Sequence, residues 1–137
     1  GDVLLKEQDI VNEVPYEDGS FTTTWSIDLH YPVKADNFDG EPFRARSKSV
    51  KIKPYPVPYR CLYSHNINNL FMAGRNISVS RIALGTIRVM RTGGMMGEVV
   101  GMAASICNSN NCLPRDIYKS HLNELKNLMT EGVPSKK

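Results

Sequence analysis

Asn69-Leu-Phe-Met-Ala-Gly-Arg75 is an apolar run that ends in a glycine. After a loop it is followed by Arg88-Val-Met-Arg-Thr-Gly-Gly-Met-Met-Gly-Glu98, a glycine cluster that leads into a helix rich in small residues. Leu70-Phe-Met-Ala73 does not alternate between apolar and polar residues, which is the pattern of a short strand buried on both faces. Such a strand needs sheet neighbours, yet the chain has no second run like it and no alternation of strands with helices. Its sheet is therefore expected to be completed by sequence outside these 137 residues. The chain also opens at Gly1-Asp2 without a methionine, so Gly1 reads as a cloning remnant and the natural start as lying upstream.

Downstream of the cluster, residues 94–108 read as the first clear helix. Val99, Val100, Ala103 and Ile106 are its larger side chains, and Gly97, Gly101, Ala104 and Ser105 are small enough for close backbone contact. Gly93, Gly94 and Gly97 near its start are costly for a helix and call for a packing or functional reason. Pro114 suits the first turn of a second helix over about 114–130, with Ile117, Leu125, Leu128 and Met129 on its stripe. Asp116 favours its start and Gly132 its stop.

Upstream, Phe21-Thr-Thr-Thr-Trp-Ser-Ile-Asp-Leu-His30 alternates and predicts one strand. Phe21, Thr23, Trp25, Ile27 and Leu29 would share one face, and Asp28 and His30 the other, with Pro32 ending the strand. Residues 33–46 predict a loop with a turn at Asp36–Gly40. Ser49–Lys53 predicts a second strand. The prolines of Pro54-Tyr-Pro-Val-Pro58 allow extended backbone but not a central strand. Near the start, Leu4 and Leu5 suit a strand end, and the polar residues up to Asp9 a short helical turn. The class is α+β: antiparallel strands, then a short buried strand, then two C-terminal helices.

The net charge of +3 is mild and the basic residues are dispersed, so no nucleic-acid footprint is present. No apolar run approaches the length of a membrane span, and no targeting signal is present. Three cysteines, Cys61, Cys107 and Cys112, make no disulfide framework. Cys107 and Cys112 flank a turn and are either neighbours or unrelated thiols. His65 and His121 lack partners at metal-ligand spacing, so no metal site is predicted. There is no Ser/His/Asp arrangement for nucleophilic catalysis.

Two places could carry chemistry. A helix start at the glycine cluster would present unpaired amides and partial positive charge to an anion, with Arg75, Arg81, Arg88 and Arg91 around it. The alternative reading is plain helix packing with solvated arginines. The second place is the strand face that puts Asp28 beside His30, where a carboxylate can tune a histidine for proton transfer; an ordinary hydrated face is the alternative. Tyr59 with Arg60 could anchor a carboxylate.

At these residues the sequence resembles a family. Pro58-Tyr-Arg-Cys-Leu62, Asn69–Ser78, Ala83-Leu-Gly-Thr-Ile-Arg-Val-Met90 and Gly94–Ala104 resemble the C-terminal part of the bacterial FAD-dependent oxidoreductases, some of which carry the label xanthan lyase. Ile27-Asp-Leu-His30 is also similar. The resemblance implies that Gly74 and Arg75 pass near the ribityl and pyrophosphate of FAD. It implies that Thr92, Gly93, Gly94, Met95, Met96 and Gly97 meet the flavin edge. It further implies that Asp28, His30 and Arg88 serve catalysis, and that Tyr59 and Arg60 bind substrate. Residues 1–68 would belong to a substrate domain or lid, and 69–137 to the FAD-binding domain. The glycine-rich strand–turn–helix that holds the ADP half of FAD is not in this sequence. Relatives carry a Pro-Thr-Cys-like run where this chain has Arg91-Thr92-Gly93, and a Gln-Ala-Ala-Gly-like helix where it has Glu98–Gly101. No cysteine-based role is implied there.

The expectation is a C-terminal fragment of a two-domain flavoenzyme that is inactive alone and does not hold FAD tightly. Its partners would be the missing N-terminal portion and a small-molecule substrate, with self-association in isolation. A stand-alone anion- or nucleotide-binding module, or a structural or oligomerising domain, are the rival readings.

Overall fold

A computed structural model describes residues 1–34 and 43–133, with side chains described for 1–31 and 46–133. The elements run α1 (Glu7–Val11), β1 (Gly19–Thr23), β2 (Ile27–Lys34), β3 (Phe43–Val50), β4 (Tyr55–Pro58), a 3₁₀ turn (Tyr59–Cys61), α2 (Leu84–Ile87), α3 (Met90–Asn110), α4 (Pro114–Asp116), a π turn (Ile117–His121) and α5 (Leu122–Glu131). The α+β class, with antiparallel strands followed by C-terminal helices, is as the sequence predicts.

The strands form two separate antiparallel pairs, β1 with β4 and β2 with β3. The single strand expected over Phe21–His30 is two strands in two sheets. Phe21, Thr23 and Ile27 are buried, but Trp25 between them is 55% exposed. Strand β2 also runs through Pro32 to Lys34 and pairs with β3 from Phe43, so both ends of the expected 33–46 loop are strand. Proline is tolerated there because a two-stranded ribbon has a free edge on each strand. The turn expected at Asp36–Gly40 lies outside the described residues. Strand β4 accommodates Pro56 and Pro58 in the same way.

Leu70–Ala73 is not the expected buried strand. Among the described residues it makes one bridge, Phe71 with Tyr63. Leu70 is 42% exposed, and Phe71 and Met72 are half-buried. Phe71 and Met72 pack on the edge of the core, and the bridge is closed by the Ser64 N–H donating to Leu70 O at 2.9 Å and the Met72 N–H to Leu62 O at 2.7 Å. Leu5 makes a parallel bridge with Val79, which ties the N-terminal segment to the stretch before α2.

Helix α3 is longer than predicted and starts four residues earlier. Thr92, Met96, Val99, Ala103 and Ile106 form its buried stripe, at spacings of three and four. This stripe packs on β1 and α5. One core joins residues from both ends of the chain, including Leu5, Phe21, Tyr59, Ile87, Met96, Ile106 and Leu125. The second helical stretch begins with Pro114 at its first position, as predicted, and bulges once at Ile117–His121 before α5. Asp116 Oδ2 accepts the Leu113 N–H at 3.1 Å. Gly132, at φ +74°, closes α5 by donating its N–H to Leu128 O at 2.9 Å.

A buried carboxylate fixes the join between β4 and the 3₁₀ turn. Asp18 is fully buried and accepts from the Arg60 N–H at 3.0 Å, Arg60 Nε at 2.9 Å and Arg60 Nη2 at 2.9 Å. Arg60 lies 4.2 Å over the Tyr118 ring, so the pair also anchors the C-terminal helices. Asp18→Asn leaves the guanidinium without its counter-charge. It is expected to lower the unfolding free energy by about 3 kcal/mol in urea titration, the low end for a buried pair because Arg60 keeps some solvent contact. A loss below about 1 kcal/mol, the range of surface pairs, would contradict this assignment.

Candidate functional site

Four-residue α2 positions the site because it touches both sheets. Its Gly85 lies against the free edge of β2: a Cβ there would meet Asp28 O at 2.9 Å, Asp28 N at 3.1 Å and Leu29 Cδ2 at 3.2 Å. Only a glycine permits that approach without moving the strand. The next residue, Thr86, donates its hydroxyl to the Trp25 carbonyl. Thr23 Oγ1 lies 3.0 Å from Thr86 O and 2.7 Å from Thr86 Oγ1. The break between β1 and β2 is thus held by buried threonines. Arg88, just past the end of α2, donates to Asp28 O at 3.2 Å and lies 3.7 Å from Asp28 Oδ2.

The resulting cleft of about 370 Å³ is lined by Asp28, Leu29, His30, Arg75, Arg81, Leu84, Gly85 and Arg88. Asp28 and His30 share a strand face as predicted, and His30 Nε2 lies 2.9 Å from Asp28 Oδ2. Ser47 on β3 donates to Asp28 Oδ1 at 2.9 Å. The Ser47 hydrogen bond first, then His30 and Arg88, hold the Asp28 carboxyl below its usual value of 3.8, against partial desolvation. The carboxylate is therefore ionised at neutral pH and accepts only, so His30 Nε2 is the donor. Nδ1 is then the ring nitrogen left for exchange with a ligand.

Ser47 was not singled out by sequence, because residues 33–46 read as loop and the strand was expected to start at Ser49. Its position across from His30 in the β2–β3 register is a long-range fact. The arginines were expected around the glycine cluster. Arg75, Arg81 and Arg88 instead gather at the Asp28 cleft, and Arg91 does not line it.

Tyr59 and Arg60 do not line this cleft. Tyr59 is fully buried and donates its hydroxyl to Pro114 O at 2.7 Å, and burial raises its pKa. The Arg60 fork is taken by Asp18.

The residues expected at the flavin edge divide by depth. Thr92 and Met96 are buried, Gly93 and Met95 are half-buried, and Gly94 and Gly97 are exposed. Met96 Sδ accepts the Gly74 N–H at 3.2 Å, so Gly74 and the glycine-rich turn are brought together; Gly74 sits at φ +102°. Because α3 begins at Met90, the glycines lie inside its first two turns rather than ahead of it, and the Gly93 N–H already bonds Val89 O at 2.9 Å. The unpaired amides of the helix start belong to Met90, Arg91 and Thr92. A Cβ on Gly93, Gly94, Gly97 or Gly101 would meet nothing within 4 Å. These glycines answer no packing need among the described residues and leave bare helix backbone that a flat ring can approach.

Thiolate chemistry at Cys61 and Cys107 does not fit. Burial pushes Cys61 up to about 12, and burial together with neighbouring Cys112 pushes Cys107 up to about 11. All three cysteines are free. Among the described residues no group of three or more His, Cys, Asp or Glu is placed to hold a metal, and no helix is long and apolar enough to cross a membrane.

A family model described as FAD dependent oxidoreductase matches residues 1–129. The chain belongs to this family. Comparison with curated proteins and with solved structures gave no match. Membership in the FAD dependent oxidoreductases implies FAD as the cofactor. The bare glycine face of α3 and the free amides at Met90–Thr92 suit a flat ring that gains negative charge on reduction.

Ser47→Ala removes the largest cause of the Asp28 shift, so the Asp28 titration midpoint should rise toward 3.8 when followed by NMR. In the unsubstituted chain the depressed pKa contributes stability that is present above the unfolded value and lost as pH falls through the folded one. An unchanged midpoint in Ser47→Ala would contradict the bonding described.

Proposed function

We propose that this chain is the C-terminal portion of a flavin-dependent oxidoreductase, in which the Asp28–His30–Arg88 cleft receives the substrate. The observation that carries the proposal is that one cleft, on a chain of this family, joins a carboxylate–imidazole pair to three arginines. FAD, when bound, supplies hydride exchange. Residues 1–68 then supply Asp28 and His30 to the substrate cleft, and 69–137 its arginines together with the flavin side, held together by the shared core.

Each residue has a derivable task. Asp28 fixes the His30 tautomer through Nε2 and stays ionised. His30 moves a proton at Nδ1 to or from the substrate group that gains or loses a hydride. Arg88 holds the Asp28 backbone in place and offers its remaining guanidinium N–H groups to the substrate. The free amides at Met90–Thr92 and the exposed Gly94–Gly97 backbone meet the cofactor, and Gly74 lies beside them. In this reading Tyr59 and Arg60 are anchors of the fold. The exposed apolar side chains at Ile67 and Leu70 are where the upstream portion of the parent packs, or a second copy when the chain is alone.

Expressed with its upstream portion, the parent should be yellow, with a flavin absorbance band. His30→Ala should lower its kcat by about 10²–10⁴-fold with the flavin band unchanged. A parent that stays colourless with excess FAD would contradict the flavoenzyme reading. A His30→Ala parent with undiminished kcat would contradict the proton-transfer role.

A further inference from the structure

The charge balance of the cleft points to its ligand. Arg75, Arg81 and Arg88 enter it from separate points of the 75–88 segment, and Asp28 is the one carboxylate in its lining. That carboxylate is already engaged by Ser47, His30 and Arg88. Among the described residues neither Arg75 nor Arg81 has a carboxylate within 4.0 Å. Arg81 is steadied 5.5 Å over the Tyr31 ring, which orders the guanidinium without neutralising it. Guanidiniums converging on one concave site repel each other unless an anion lies between them.

We propose that the cleft binds a small carboxylate-bearing substrate, with Arg75 and Arg81 holding the carboxylate and Asp28–His30 standing at its reacting end. The guanidinium fork matches a carboxylate in a two-bond geometry. A nucleotide phosphate fits less well. Guanidiniums pair with phosphates too, but the residues lining this wall include no glycine-rich loop of free amides at a helix start to complete a phosphate cradle. The ionised Asp28 also repels a multiply charged phosphate more than a carboxylate. A volume of about 370 Å³ suits a small acid and not a dinucleotide. The role as substrate rests on the flavoenzyme reading; the binding of a carboxylate does not.

The test is calorimetric titration of the 137-residue chain with succinate at low salt, alongside pyrophosphate and ADP. Saturable succinate binding is expected, weakened roughly tenfold or more in both Arg75→Gln and Arg81→Gln, since each loses a charge-assisted pair. Lys126→Gln on α5, which removes the same charge outside the cleft lining, should leave binding unchanged, and thermal unfolding confirms that all variants fold. Three results would overturn the proposal. They are absence of saturable succinate binding, equal weakening in all three variants, and tighter binding of pyrophosphate or ADP that displaces succinate. The last would assign the arginines to the cofactor's phosphates. A flavin-free parent that still binds succinate through Arg81 would defeat the flavoenzyme reading and leave the cleft assignment standing. A yellow parent whose KM is unmoved by Arg81→Gln would do the reverse.

Discussion

The backbone-to-backbone approach of Gly85 to Asp28 governs the placement of everything around the cleft. A Cβ at Gly85 would sit 2.9 Å from the Asp28 carbonyl oxygen, inside van der Waals contact with a rigid neighbour. With no Cβ, α2 lies directly on the free edge of β2. Arg88 then reaches the Asp28 carbonyl, and Thr86 reaches the Trp25 carbonyl on the other side. A helix of four residues has too few internal hydrogen bonds to be stable alone. Its position is set by these side-chain bonds and by the burial of Ala83 and Ile87. The β2–β3 ribbon meets α2 through β2, and β3 from Arg46 to Val50 is exposed.

That dependence explains what could be read from sequence. The stripe of α3 through Val99, Ala103 and Ile106 was legible, because a long amphipathic helix writes its period locally. Pro114 at a helix start and Gly132 at a helix stop were legible for stereochemical reasons that act at one residue. The shared face of Asp28 and His30 followed from the two-residue period of any strand. The break after Thr23 was not legible. The apolar alternation runs unbroken from Phe21 to Leu29, and Trp25 turns outward because a hydroxyl more than sixty residues away takes its carbonyl. The start of α3 was missed for a related reason. Glycines argue against a helix interior on propensity, yet burial of Thr92 and Met96 against the core outweighs that cost. Ser47 and the convergence of Arg75, Arg81 and Arg88 depend on register and loop path, which no local pattern records.

The cleft and the glycine face of α3 are two surfaces of different chemistry. The cleft is charged and hydrogen-bonded, with an ionised carboxylate that orients an imidazole. The α3 face is bare backbone, with unpaired amides one turn before Gly94. The link between them is physical: Arg88 is followed within two residues by Met90, where α3 begins, and Gly74 bonds Met96 one residue before Arg75 reaches the cleft. A ligand lying between the surfaces would meet the carboxylate–imidazole pair on one side and partial positive charge on the other. Under the proposed function these are the two sides of the flavin, the cofactor that the family match over residues 1–129 implies.

The most direct test is a flavin-bound structure of this chain together with its proposed upstream portion. The account predicts that the ring lies between the Gly94–Gly97 face of α3 and the Asp28–His30–Arg88 cleft, with the Met90–Thr92 amides directed at it. A flavin that contacts neither surface would contradict the account.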